Sequence, residues 1–146
     1  MMKPAKLVIV VPCYNEEEVL HETTSQLSAL LDGMEKDGKI SQGNLLYVDD
    51  GSKDATLHEL RKIYREQRCP VKVVSFSRNF GKEAAISAGL ASAAGDCVVV
   101  IDCDLQHPPE KIIEMYRLWQ NGAQVVEGVK SNRGKENPLH TFAAKG

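Results

Sequence analysis

Two carboxylates, Asp102 and Asp104, stand in the segment CVVVIDCDLQHPP, which runs from Cys97 to Pro109. The apolar run Cys97 to Ile101 reads as a strand buried on both faces, and the Pro108-Pro109 pair stops the extended segment. Residues two apart on a strand share a face, with Cα atoms roughly 6.6 Å apart at ~3.3 Å per residue. That is wide for two direct ligands of one small ion unless the chain bends after the strand. The spacing points to one carboxylate on a metal and the other working through water or a ligand hydroxyl. Hard oxygen donors favour Mg²⁺ or Mn²⁺ over zinc, and such ions keep positions open for phosphates. A purely structural reading of the same D-x-D has Asp104 capping the next helix and Asp102 in a solvated loop.

The elements that must position these residues follow from hydrophobic pattern. Leu7 to Pro12 is a short apolar run, a buried strand, followed by the turn-prone Cys13-Tyr14-Asn15. A helix follows whose Leu20, Thr23, Leu27, Leu30, Leu31 and Met34 recur at spacings of three and four. The pattern then predicts a strand at Leu45 to Val48, a helix near Asp54 to Gln67, a strand at Val71 to Phe76 and an alanine- and glycine-rich helix from about Gly81 to Ala94. After the carboxylate strand, Pro109 opens another helix, which ends near Asn121-Gly122, and Gln124 to Val129 reads as a fifth strand. Strands alternating with helices and no hairpin signal predict an α/β domain: a mostly parallel sheet with helices on both faces. Regularity is expected to stop at Lys130. Residues 130–146, KSNRGKENPLHTFAAKG, carry four Lys/Arg against one Glu. The expectation is a single domain over residues 1–146, its irregular end opening an acceptor region that the sequence does not complete.

Open parallel sheets bind ligands beyond the carboxyl ends of their strands. PCYNE, DDGS, SRNFGK and DCDLQ all fall there, each after a different strand, which suggests one site. A dinucleotide does not suit it, because no G-x-G-x-x-G follows the first strand. Instead Glu16, Glu17 and Glu18 are placed in the first helical turn, where they suit the macrodipole but would repel a pyrophosphate. A phosphorylated ligand would be neutralised elsewhere, by a metal at Asp102/Asp104 with Lys82 and Arg78 nearby. A receiver-like domain would want its acidic pair after the first strand, whereas Asp49-Asp50 follow the second.

Composition sets the frame. The chain is 42% hydrophobic and 26% charged, ordinary for a globular domain, and its formal charge of −2 gives no case for nucleic-acid binding. No secretory leader and no apolar run of roughly 18 residues is present in the sequence. The four cysteines lack C-x-x-C spacing, and Cys13, Cys97 and Cys103 lie in or beside apolar strands. They read as small buried hydrophobes in a reducing, cytoplasmic compartment.

In their order and spacing, VPCYNEEE, VDDGSKDAT, SRNFGKEAAISAGL and DCDLQHPPE resemble the donor half of family 2 glycosyltransferases of the GT-A fold. Within these the chain is most similar to the polyprenyl-phosphate glycosyltransferases, relatives of dolichyl-phosphate mannose synthase. The resemblance implies a nucleotide-diphosphate sugar donor, UDP- or GDP-linked, a divalent Mg²⁺ or Mn²⁺, and transfer with inversion, with a polyprenyl phosphate or an envelope glycan as acceptor. It places Pro12, Tyr14, Asn15 and Glu16 around base and ribose, with Tyr14 able to stack on the base. Asp49 matches the position that reads the base, and Asp50, Gly51 and Ser52 complete that wall. Gly81 and Lys82 would approach the diphosphate. Asp104 becomes the direct metal ligand, Asp102 lies nearer the ribose or a bound water, and Gln106 faces the sugar. His107 stands where relatives often carry aspartate and would add a nitrogen ligand. Lys130 and Arg133, with Lys135, would hold an acceptor phosphate. That acceptor, with a second pKa of ≈ 6, is already largely ionised near neutral pH, so no general base is required; Glu127 is the least poor candidate for one. Relatives continue past this length, often into membrane helices. The resemblance therefore implies a truncated domain that alone binds donor without turnover, placed in the whole protein at the cytoplasmic face of a membrane. The alternative function is a non-catalytic nucleotide-sugar-binding module.

Overall fold

A strand buried on both faces needs apolar residues on both, and Leu7 to Val11 supplies them. Leu7, Ile9, Val11 and Cys13 point into one core, and Val8 and Val10 into a second on the opposite side. The computed structural model describes residues 3–66, 69–106, 108–122, 125–128 and 139–143, the last two stretches by backbone alone. In chain order the elements are β1 (Ala5–Cys13), α1 (Leu20–Lys36), β2 (Ile40–Asp49), α2 (Thr56–Glu66), β3 (Val71–Ser75), α3 (Lys82–Ser92), β4 (Cys97–Val100), α4 (Lys111–Gln120), β5 (Val125–Gly128) and β6 (Leu139–Ala143).

They build one sheet of order β3-β2-β1-β4-β6-β5. The first four of these are mutually parallel, with Val10 opposite both Leu46 and Val100. Helices cover both faces, as expected, but unequally. α1, α2 and α4 bury Leu27, Leu31, Ile63, Ile112 and Met115 in the first core, and α3 alone covers the second. Small residues allow α3 to lie close: a Cβ on Gly89 would stand 2.4 Å from Val10 Cγ1.

Three expectations are corrected. β2 starts at Ile40, well before the predicted Leu45. The helix after β1 starts at Leu20, so Glu16, Glu17 and Glu18 sit in the preceding turn, where the Glu16 carbonyl accepts from the amides of Val19 and Leu20. The stretch from Lys130 is not irregular throughout. It contains β6, which runs antiparallel between β4 and β5, with His140 opposite Val100 and Leu139 opposite Gly128. Antiparallel pairing to β6 makes β5 parallel to β4, so Gly128 and Leu139 both stand at the carboxyl end of β4.

Among the described residues, no helix is long and apolar enough to cross a membrane. All four cysteines are free thiols.

Candidate functional site

The carboxyl ends of β1, β2 and β4 open onto a cleft of about 200 Å³, lined by Pro12, Cys13, Tyr14, Glu16, Asp50, Lys82, Ala85, Asp102, Cys103 and Asp104. Seven of the predicted residues therefore share one cavity: Pro12, Tyr14, Glu16, Asp50, Lys82, Asp102 and Asp104. Four of its side chains are carboxylates and one is an ammonium.

The carboxylate pair does not sit on extended strand. β4 ends at Val100, and Asp102 to Leu105 forms a turn closed by the Leu105 amide donating to the Asp102 carbonyl at 3.1 Å. This is the bend that two carboxylates near one ion require, and the 6.6 Å spacing of a straight strand does not apply. Leu105 takes φ +51°, a left-handed conformation costly for a branched side chain and found where surrounding structure imposes it. One part of that structure is Thr23 of α1, 2% exposed, whose hydroxyl donates to the Cys103 carbonyl at 2.5 Å. Asp104 is not the cap of α4: Glu110 holds that position and makes no side-chain capping bond. Asp104 is exposed and accepts from the Gln106 amide at 2.9 Å, while Asp102 pairs with the Lys82 ammonium at 2.5 Å.

Behind the cleft the loops are tied to each other. Asp50, 4% exposed, accepts from the Phe80 amide at 2.8 Å, the Gly81 amide at 3.1 Å and the Asn79 side-chain amide at 3.0 Å. Its carboxylate thus anchors the β3–α3 loop and sets the start of the helix that carries Lys82. Gly51, at φ +67°, lets that loop approach: a Cβ there would stand 2.2 Å from the carbonyl carbon of Arg78. Asp49 is 1% exposed, accepts from the Ser52 amide at 3.3 Å, and lies outside the cleft lining. Asn15, at φ +54°, receives the Lys53 amide on its side-chain oxygen at 2.8 Å, and its own amide donates to the Ser52 hydroxyl at 2.9 Å. The Glu16 amide donates to Thr56 at 2.8 Å. Asn15, Asp49, Gly51, Ser52 and Gly81 therefore frame the cleft without lining it, and Gln106 lies beside Asp104 at its edge. His107, Lys130, Arg133 and Lys135 fall outside the described residues, as does the side chain of Glu127.

Electrostatics mark the cleft as short of positive charge. The Glu16 carboxyl is held above its usual value, chiefly because burial disfavours its charge and then because Asp104 and Asp102 repel it. The Cys13 thiol is pushed well up by its hydrogen bond with Cys103 and by burial, so it stays a protonated wall of the cleft rather than a ligand. Among the described residues, no three His, Cys, Asp or Glu side chains are placed to hold an ion by themselves. Mg²⁺ and Mn²⁺ are commonly bound by one or two carboxylates with phosphate oxygens completing the set. Asp104 and Asp102 are the side chains able to supply those oxygens.

Sequence reasoning missed Thr23, Cys13, Cys103 and Ala85 as parts of the site. Thr23 was read only as part of the inward helix face, because its partner lies 80 residues away.

The family model described as Glycosyl transferase family 2 matches residues 8–142. The chain belongs to that family. A related family member, the uncharacterized glycosyltransferase YkcC of Bacillus subtilis, is 43% identical over 136 residues, covering 93% of this chain and 40% of the relative. The bactoprenol glucosyl transferase of Shigella phage SfV is 38% identical over 143 residues, covering 96% of this chain and 44% of the relative. The chain thus spans about two fifths of the length of the curated relatives it matches. Among solved structures, a mannosyltransferase from Pyrobaculum calidifontis, in complex with GDP-Man and Mn²⁺, superposes with a TM-score of 0.75 at 21% identity, covering 96% of this chain and 45% of that one. That likeness establishes the glycosyltransferase fold expected from the motifs.

Proposed function

We propose that this family 2 chain forms the donor-binding part of an inverting glycosyltransferase, taking a sugar from a UDP- or GDP-linked donor to a polyprenyl phosphate. The observation that carries the reading is the cleft at the strand ends, whose lining brings Asp102 and Asp104 together with Glu16, Lys82 and the exposed Tyr14. An acidic cleft receives a diphosphate only together with a cation. The mannosyltransferase of the same fold holds GDP-Man with Mn²⁺, and the phage relative is named for glucosyl transfer to bactoprenol.

In this reading Tyr14, 40% exposed, stacks on the base. Lys82 contacts the diphosphate, Asp104 and Asp102 supply carboxylate oxygens, His107 adds a ring nitrogen, and Gln106 faces the sugar. A bound Mg²⁺ or Mn²⁺ supplies charge stabilisation for the departing nucleoside diphosphate. An acceptor phosphate oxygen forms the new bond to the anomeric carbon, and the bond from that carbon to the diphosphate breaks on the opposite face with its electron pair. An acceptor monoester with a second pKa of ≈ 6 is already largely dianionic near neutrality, so no residue need remove a proton. Lys130 and Arg133 are proposed for the acceptor phosphate. In the sequence they lie between Gly128 and Leu139, residues that both stand on the cleft end of the sheet. The acceptor's lipid places the working protein at a membrane surface, on the cytoplasmic side where nucleotide sugars are made.

Isothermal titration with UDP- and GDP-sugars, with and without Mn²⁺, followed by product detection on a polyprenyl phosphate, tests this. Metal-dependent binding of one donor and a glycosylated lipid are expected. Failure of both donors to bind with metal present would overturn it. Donor binding without transfer would favour a second reading, a nucleotide-sugar-binding module.

A further inference from the structure

Lys82 is the one basic side chain among the described residues lining the cleft. Its ammonium lies 2.5 Å from Asp102 Oδ1, with the Asp102 side chain 19% exposed and that of Lys82 50% exposed. Three carboxylates, Glu16, Asp102 and Asp104, share this single positive charge, since Asp50 is already engaged by the β3–α3 loop. A divalent ion on the same oxygen must take the place of that ammonium, and one on the other oxygen of Asp102 is repelled by it at close range.

We propose that Lys82 is an exchangeable counter-cation whose transfer from Asp102 to the incoming diphosphate couples metal binding to nucleotide binding. The inference rests on the reading above and concerns how that site loads. Asp50 holds the backbone of Gly81 in place, so Lys82 begins α3 from a fixed point while its four-carbon stem stays free to swing. Metal alone must either break the Lys82–Asp102 pair, leaving the ammonium without that partner, or bind against the repulsion of the ammonium that stays. Nucleotide alone meets an ammonium already engaged and uncompensated carboxylates beside it. Arriving together, the metal takes the carboxylates and the diphosphate takes the ammonium, so neither displaced charge is stranded. Coupling of this kind is reciprocal: each ligand raises the other's affinity by the same factor.

The test compares the unmodified chain with Lys82→Met and Lys82→Arg. Free Mn²⁺ is read by electron paramagnetic resonance, without and with UDP or GDP, and the nucleotide by calorimetry without and with Mn²⁺. Lys82 is half exposed, so Lys82→Met should lower stability by no more than the pair itself is worth, up to about fivefold or about 1 kcal/mol, and urea midpoints check that all three proteins fold. In Lys82→Met, Mn²⁺ alone should bind roughly two- to fivefold tighter, the range expected when a partly exposed ion pair no longer competes. The factor by which nucleotide and Mn²⁺ strengthen each other should fall by at least about threefold in the same variant. Lys82→Arg keeps a cation on the same stem and should retain most of the coupling. Equal or weaker binding of Mn²⁺ alone by Lys82→Met would overturn this proposal and leave the metal site standing. Absence of Mn²⁺ binding in every variant, nucleotide present or not, would overturn the metal reading and this proposal with it.

Discussion

Two pairs of aspartates end the strands on either side of β1, and they have opposite fates. Asp49 and Asp50, after β2, are 1% and 4% exposed, and Asp50 accepts from backbone amides and a side-chain amide of a neighbouring loop. Asp102 and Asp104, after β4, face the cleft, and their partners are the tips of two side chains, Lys82 and Gln106. A backbone amide cannot leave without the loop moving, whereas an ammonium or a side-chain amide can rotate away. The first pair is therefore part of the scaffold and the second is open to exchange, although both read as acidic residues following an apolar strand. Donor type, more than charge or position, separates them.

The sharpest way to break the contrast is at the scaffold side. Gly51→Ala would set a Cβ 2.2 Å from the backbone of Arg78 at φ +67°, and a cost of about 3–5 kcal/mol, read as a lowered urea midpoint, is expected. Asp50→Ala leaves the amides of Phe80 and Gly81 without their buried acceptor, which should lower stability by about 2–4 kcal/mol. An Asp50→Ala protein as stable as the parent would show the clamp to be incidental. At the open pair the effect should move from folding to binding. Asp104→Ala should leave the urea midpoint in place while lowering Mn²⁺-dependent nucleotide affinity at least about tenfold, about 1.4 kcal/mol. A large drop in midpoint with unchanged affinity would invert the comparison.

The smallest expected effect concerns Glu16. Its folded pKa is raised by burial and by Asp104 and Asp102, so the native chain keeps this proton to higher pH than the unfolded one. The associated stability is present at acid pH and is lost as pH rises from the usual carboxylate range through the raised value. Urea titrations from about pH 4 to about pH 8 should show Glu16→Gln falling less than the parent, by under about 1 kcal/mol. Mn²⁺ added to the parent should narrow that gap, and a gap that widens would place the ion elsewhere.

Much of the architecture was legible because apolar runs and helical spacing are local. β1, β4, α1 and α3 came out within a few residues of their observed bounds. β6 did not, since LHTFA carries no clean period of two and follows a polar, proline-containing stretch; its strand character comes from pairing with β4 and β5. The site was legible to the extent that motifs fix residue types at the strand ends. The division of labour among those residues was not. Asp50 finds its partners 29 to 31 residues further on and Thr23 finds its partner across 80. Contacts of that range depend on how loops fold over the sheet, which no local pattern encodes. The bend at Asp102 to Leu105 was equally hidden, because a leucine at positive φ is not what its residue type favours.

The placement of β6 bears on how the chain is made. A ribosome delivers β4 and β5 before the strand that must lie between them. Until Ala143 has emerged, Cys97 to Val100, fully buried in the finished sheet, keeps one side of its backbone unpaired. Synthesis halted short of Leu139 would release an open apolar edge, the kind that recruits other chains. Prompt insertion of this late strand is thus a safeguard against misassembly.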